Sequence, residues 1–183
     1  PDDHLIFAPN HQNALMDALA VLFTQKSQLV FLARADIFKR KFIASLLYFI
    51  KIMPVYRIRD GFSSLKGNDE IFGKTIDVLR SRSGLVILPE GDHAAFRRLR
   101  QLKKGICRVA FQADEASGFT LGIKIIPVGI EFTNYYRYRQ VLTVVYGKAI
   151  DTTEYHELYK RSPEIAQNEL RTRISSEIKK LMV

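Results

Sequence analysis

An acid–base pair can be read near the start of the sequence, where His11 is followed six positions later by Asp17. A neutral imidazole is the usual general base, and a carboxylate on its other ring nitrogen fixes tautomer and orientation. Further on, Pro54-Val55-Tyr56-Arg57-Ile58-Arg59 presents two arginines at the end of an apolar run. Their planar guanidinium groups can hold a phosphate through paired hydrogen bonds. Leu88-Pro89-Glu90-Gly91 then sets a carboxylate beside a glycine, which lets the backbone turn sharply or approach a ligand closely. Together these residue types suit proton removal next to a bound anion. Other chemistries lack their motifs. No G-x-S-x-G elbow and no H-E-x-x-H zinc motif occurs. Gly73-Lys74-Thr75 ends like a phosphate-binding loop, but Gly67 leaves five intervening residues where four are required, and no strand precedes it. The single cysteine, Cys107, excludes a disulfide framework and a multi-thiolate metal site, and it reads as a core residue. His4, His93 and His156 show no ligand spacing, so no metal is implied.

Residues so far apart in sequence need a scaffold that brings them to one place. At 183 residues, with 47% hydrophobic content, the chain can bury a core and is expected to form one domain. Short apolar runs alternate with longer amphipathic stretches, the pattern of an α/β domain. Strands are expected over His4 to Ala8, Gln28 to Ala33, Met53 to Tyr56, Leu85 to Leu88, Ile123 to Ile130 and Val141 to Tyr146. Helices are expected over Asn13 to Thr24, Ile37 to Ile50, Asn68 to Arg80, Gly105 to Ala113 and Pro163 to Leu181. Leu85-Val86-Ile87-Leu88 does not alternate, as befits a strand covered on both faces. Pro127 inside an apolar run suggests an edge or a bulge. The expected architecture is a single-domain, mixed, largely parallel β-sheet sandwiched by helices. Ligands of such sheets sit at the carboxyl ends of strands. Asn10-His11-Gln12-Asn13, Tyr56-Arg57-Ile58-Arg59 and Pro89-Glu90-Gly91-Asp92-His93 would all lie there.

The net charge of +9 is local: Arg34 to Arg59 and Arg97 to Arg108 each carry +6. Such windows suit phosphates, in nucleic acid, anionic headgroups or a small molecule. No apolar run reaches the ~18 residues of a membrane span. Phe42 to Ile50 is apolar nearly all round and follows Lys39-Arg40-Lys41, as an interfacial helix on an anionic leaflet would. The chain opens on Pro1 without a leader and is expected to be part of a longer protein lacking its N-terminal flank.

In their order, these segments resemble the glycerolipid acyltransferase family, which includes glycerol-3-phosphate and 1-acylglycerol-3-phosphate acyltransferases. The resemblance rests on Asn10-His11 with Asp17, on Pro54-Val55-Tyr56-Arg57, on Leu88-Pro89-Glu90-Gly91 and on Ile126-Pro127-Val128-Gly129-Ile130. Leu32-Ala33-Arg34, Lys103-Lys104-Gly105 and Tyr146-Gly147-Lys148-Ala149-Ile150 echo it too, so it spans roughly His4 to Asp151. Two departures stand out. The family separates its His and Asp by four residues and this chain by five, and Asp92-His93 replaces the family's Thr-Arg. One extra residue rotates a helical position by ~100°, so the dyad requires the insertion to lie ahead of the helix, with Asn13 as its N-cap. Ala14, Leu15, Ala18 and Leu22 would then form the apolar stripe of that helix.

The resemblance implies acyl transfer from acyl-CoA or acyl-carrier protein, as co-substrate rather than cofactor, to a hydroxyl of glycerol-3-phosphate or a lysophospholipid, in phospholipid biosynthesis. It makes His11 the general base, Asp17 its partner, Arg57 the phosphate ligand, and Glu90 and Gly91 shapers of the acceptor site. Arg34, Arg59, Arg97 and Lys104 are further candidate phosphate contacts. It also implies peripheral contact with an anionic membrane on its cytoplasmic face, or anchoring through a missing flank. The rival readings are a nucleic-acid-binding module on the same basic windows and a family member that has lost its chemistry. Nucleic acid favours aromatic platforms, and only Tyr135-Tyr136-Arg137-Tyr138-Arg139 offers one, so no nucleic-acid partner is expected.

Overall fold

A computed structural model of the chain describes residues 3–26, 29–55, 63–91, 98–134 and 139–182; of residues 34 and 63–71 it describes the backbone alone. The sheet is centred on β1 (Leu5–Pro9), which pairs in parallel with β4 (Leu85–Val86) on one side and β5 (Lys124–Phe132) on the other. Beyond β4 lie β2 (Val30–Arg34) and β3 (Ile52–Val55), also parallel. Beyond β5, β6 (Leu142–Tyr146) and β7 (Ile150–Asp151) follow one another, both antiparallel to it. The order β3-β2-β4-β1-β5-β6 is the mixed, largely parallel sheet that the alternating pattern implies.

Burial on both faces explains the unbroken apolar runs. Ile6 and Ala8 of β1, with Leu85 and Ile125, meet a layer formed by α3 (Ser63–Arg80), α4 (Gly105–Glu115), α5 (His156–Arg161) and α6 (Pro163–Leu181). Phe7, Val86 and Val128 meet α1 (Ala14–Thr24) and α2 (Lys41–Phe49) on the other side. Helix α6 shows the logic most plainly. Pro163 opens it, where a missing N–H is harmless, and Ala166, Leu170, Ile174 and Ile178 recur every fourth residue, all fully buried.

Several expectations need correction. The single helix over Ile37 to Ile50 is a 3₁₀ turn, Ala35–Lys39, followed by α2, because Arg40 between them is extended at φ −92°, ψ 121°. The turn folds back so that the Phe38 and Tyr48 rings touch at 5.3 Å. Pro127 lies in interior strand β5, not at an edge, but it does face a bulge: the register slips by one residue between Val128↔Tyr146 and Ile125↔Ile150, so three residues of the β6–β7 run stand opposite Ile126 and Pro127. Its carbonyl accepts from the N–H of Gly147, so its own nitrogen faces the gap between β6 and β7, where no strand asks for a donor. The buried residues of α1 are Asp17, Ala20 and Val21; of the expected stripe of Ala14, Leu15, Ala18 and Leu22, Ala18 and Leu22 pack against the core while Leu15 is 56% exposed. Strand β7 and helix α5 are too short for periodicity to reveal. Tyr56 at the end of the third expected strand lies outside the described residues.

Candidate active site

The carboxyl ends of β1 and β4 meet at His11. Asn10, fully buried, prolongs the β1–β5 ladder with its side chain: Nδ2 donates to the Ile130 carbonyl at 2.9 Å and Oδ1 accepts the Ile130 N–H at 2.6 Å. Its backbone N–H still donates to Val128. The chain thereby leaves the sheet at a fixed point, and the next residue is His11.

Asp17, fully buried in α1, gathers the loop around one oxygen. Its Oδ2 accepts from Nδ1 of His11 at 2.8 Å, from the Gln12 N–H at 2.8 Å and from the Asn13 N–H at 2.7 Å. The five-residue spacer closes because the helix starts only at Ala14, whose φ of 43° lies in the left-handed region and turns the chain back. Asn13 occupies the N-cap position, but its side chain makes no capping bond there. The carboxylate of Asp17, in the first turn of α1, instead takes the N–H groups of the two residues that precede the helix, Gln12 and Asn13. With Nδ1–H donating to Asp17, the neutral ring carries its basic lone pair on Nε2. The His11 side chain is 14% exposed.

Glu90, almost completely buried, is a clamp. Oε1 accepts the His11 N–H at 2.7 Å and Oε2 the Arg100 N–H at 2.9 Å. Burial pushes its pKa above the usual carboxylate range, and the two backbone donors offset part of that rise. Both oxygens are thus committed to backbone, so Glu90 shapes the site by positioning the His11 loop. Gly91 makes the turn beside it at φ 68°, with its N–H on the Leu88 carbonyl, and the Lys103 N–H closes the loop on Pro89. An added Cβ at Gly91 would stand 3.3 Å from the Lys103 side chain in a backbone conformation that L-residues avoid.

The structure therefore brings together His11, Asp17, Glu90 and Gly91. Lys104 goes elsewhere, pairing with Glu164 at 3.0 Å. Arg34 ends β2 at the same sheet edge, and only its backbone is described. Arg57, Arg59 and Arg97, with Asp92, His93 and Tyr135 to Tyr138, lie outside the described residues; β3 ends at Val55, two residues before Arg57. Two contributors escape a reading of the sequence. Asn10 is visible as a polar residue closing a strand, but its ladder-completing role is not. Arg100 acts through its main chain, which leaves no mark in sequence. A second pair, His156 Nε2 with Asp114 Oδ2 at 2.7 Å, ties α5 to α4 at the opposite sheet edge, where Asp114 Oδ1 also takes the Leu121 N–H. Cys107 is fully buried and its thiol is pushed up to about 12 by burial, a core residue.

A histidine and a buried carboxylate thus meet at the strand ends of this sheet, and the chain belongs to the acyltransferase family, whose model matches residues 1–131. Glycerol-3-phosphate O-acyltransferase 2 of Saccharomyces cerevisiae is 27% identical over 112 residues, 61% of this chain and 15% of the yeast protein. The chain thus spans about one seventh of that relative. The fold is that of the 1-acyl-sn-glycerophosphate acyltransferase PlsC from Thermotoga maritima, with a TM-score of 0.62 at 15% identity over 99% of this chain and 67% of that one.

Proposed function

We propose that this protein transfers a fatty acyl group from a thioester, acyl-CoA or acyl-carrier protein, to a hydroxyl of glycerol-3-phosphate or a lysophospholipid such as 1-acylglycerol-3-phosphate. The observation that carries the reading is the 2.8 Å contact between His11 Nδ1 and Asp17 Oδ2. It turns Nε2 into the base. Nε2 takes the acceptor's hydroxyl proton as the oxygen attacks the thioester carbonyl, and Asp17 stabilises the imidazolium that forms. Collapse of the tetrahedral intermediate expels the thiolate, which leaves with that proton. General-base assistance of this kind contributes about 10²–10⁴-fold. Arg57, two residues after the end of β3 in the sequence, is the residue the resemblance assigns to the acceptor phosphate. The family match and the glycerolipid relatives support this substrate class.

Surface chemistry supports work on an anionic membrane, in peripheral contact at its cytoplasmic face. Phe42 and Phe49 of α2 are 83% and 81% exposed, next to Lys39-Arg40-Lys41, and Leu15 and Met16 stand exposed in the first turn after the His11 loop. No helix among the described residues is long and apolar enough to cross a membrane.

The test is incubation with acyl-CoA or acyl-carrier protein and a panel of glycerophosphate acceptors, read by mass spectrometry. His11→Ala is expected to fold and to abolish turnover. A folded His11→Ala protein with near wild-type rate refutes the mechanism.

A further inference from the structure

Beyond the His11 loop a groove of about 450 Å³ runs between residues 99–102 and α6. Arg100, Arg171 and Lys179 line it together with the hydroxyls of Thr172, Ser175 and Ser176, and no acid lines it. Some neighbouring cations outside it are matched by carboxylates: Arg173 by Glu154, Lys180 by Glu177, Lys104 by Glu164. Among the described residues Arg100, Arg171 and Lys179 enter no ion pair. Three cations and three hydroxyl-bearing residues lining one groove, with no acid in that lining, suit an anion with several charges.

The groove is tied to the His11 loop through Arg100. Arg100 lends its N–H to Glu90, which holds His11 with its other oxygen, so a single carboxylate joins groove and base. The far end of α6 abuts the carboxyl half of β5, where a Cβ on Gly129 would meet Leu181 at 2.7 Å.

We propose that this groove binds the phosphate-bearing nucleotide end of coenzyme A and so sets the thioester donor. The inference rests on the acyl-transfer reading above and adds where the donor is held. Leu99, Leu102 and Gln101 complete the lining, and both leucines are buried beneath it, so the charged and hydroxyl-bearing side chains favour a phosphorylated group over an acyl chain. Coenzyme A concentrates several phosphoryl groups at one end and carries its thioester on a long flexible arm, so its phosphates can sit in this groove while the carbonyl reaches Nε2 of His11. A glycerophosphate acceptor has one phosphate close to its reacting hydroxyl, and it needs a cation nearer the base, as Arg57 would supply.

The test titrates coenzyme A and adenosine 3′,5′-bisphosphate calorimetrically into wild type, His11→Ala, Lys180→Gln and the double variant Arg171→Gln/Lys179→Gln, alongside steady-state kinetics. Wild type, His11→Ala and Lys180→Gln are expected to bind both ligands within about twofold of one another. The double variant should weaken both by roughly 10- to 30-fold, about what losing charge-assisted contacts implies for a solvent-open site. It should raise the KM for acyl-CoA and leave that for the acceptor unchanged. If the double variant fails to fold, Lys179→Glu alone reverses an exposed charge and must weaken coenzyme A. Wild-type affinity in the double variant overturns the proposal. So does a raised acceptor KM with an unchanged donor KM, or activity confined to acyl-carrier protein without coenzyme A binding. Groove-dependent binding with no turnover in wild type would sink the acyl-transfer reading while upholding the groove. His11-dependent turnover with groove-independent binding would do the reverse.

Discussion

Asp17→Asn separates the electrostatic part of the dyad from its geometry. The asparagine amide oxygen can take the place of Oδ2 and still accept from His11 Nδ1, Gln12 N and Asn13 N. Its NH₂ then falls at the position of Oδ1, a buried atom with no hydrogen-bond partner among the described residues, so the amide has one tolerable orientation. Exchanging a charged acceptor for a neutral one costs about 1 kcal/mol per bond, and the two backbone donors should therefore lower stability by about 2 kcal/mol. The rate falls further. In the transition state the ring becomes imidazolium, and with charge centres ~4 Å apart at an effective dielectric of about 20 the lost attraction is about 4 kcal/mol. That corresponds to roughly 10³-fold in kcat. The assay is release of free coenzyme A thiol from acyl-CoA with acceptor present, paired with thermal unfolding; the fully buried Cys107 gives no background signal in the folded protein. A folded Asp17→Asn protein within threefold of the wild-type rate would refute the assignment of Asp17 as the charge partner of the base.

Arg57→Ala is expected to raise the acceptor KM at least about tenfold and leave the donor KM unchanged, with Arg57→Lys recovering only part of the loss because an ammonium lacks the two-pronged fork; an equal effect on both substrates in steady-state kinetics would instead assign Arg57 to folding. Glu90→Gln turns an NH₂ toward either His11 N–H or Arg100 N–H, leaving one buried donor unmatched at about 1–3 kcal/mol, so it should lower kcat together with Tm. Because the Glu90 pKa is raised, wild type gains from the protonated form at low pH and loses that advantage as pH rises through the shifted value; denaturation curves should show the wild-type stability falling relative to Glu90→Gln over that window. Phe42→Ser/Phe49→Ser removes two exposed rings and should cut partitioning onto anionic vesicles by roughly 10- to 100-fold in sedimentation assays, with turnover of a water-soluble acceptor unaffected.

The sheet was legible because burial on two faces writes itself as continuous apolar runs, and each expected strand lies within a few residues of a real one. Helix α6 was legible to the residue because a proline opens it and a four-residue repeat runs through it. What escaped has physical causes. Leu15 looks like core by type, yet the carboxylate of Asp17 takes the inward position on α1, and no hydropathy pattern places an acid there. The break at Arg40 depends on backbone angles that its side chain does not announce. In the site, His11 and Asp17 could be paired from their spacing only with the left-handed turn at Ala14, a conformation an alanine does not advertise. The resemblance makes Glu90 a shaper of the acceptor site, but nothing in the sequence announces that both its oxygens go to backbone donors.

The Asn10 amide pairs with Ile130, a residue 120 positions further along the chain. His11 and Asp17 are sequence neighbours, so their contact looks local, but the point from which His11 departs exists only once β5 has docked against β1. Such a distant parallel pairing carries a large loop-closure cost and forms late. A nascent chain emerging from the ribosome would hold both members of the dyad for most of its synthesis without a working base. Activity regained on refolding should accordingly lag behind helix formation and track the closing of the central sheet.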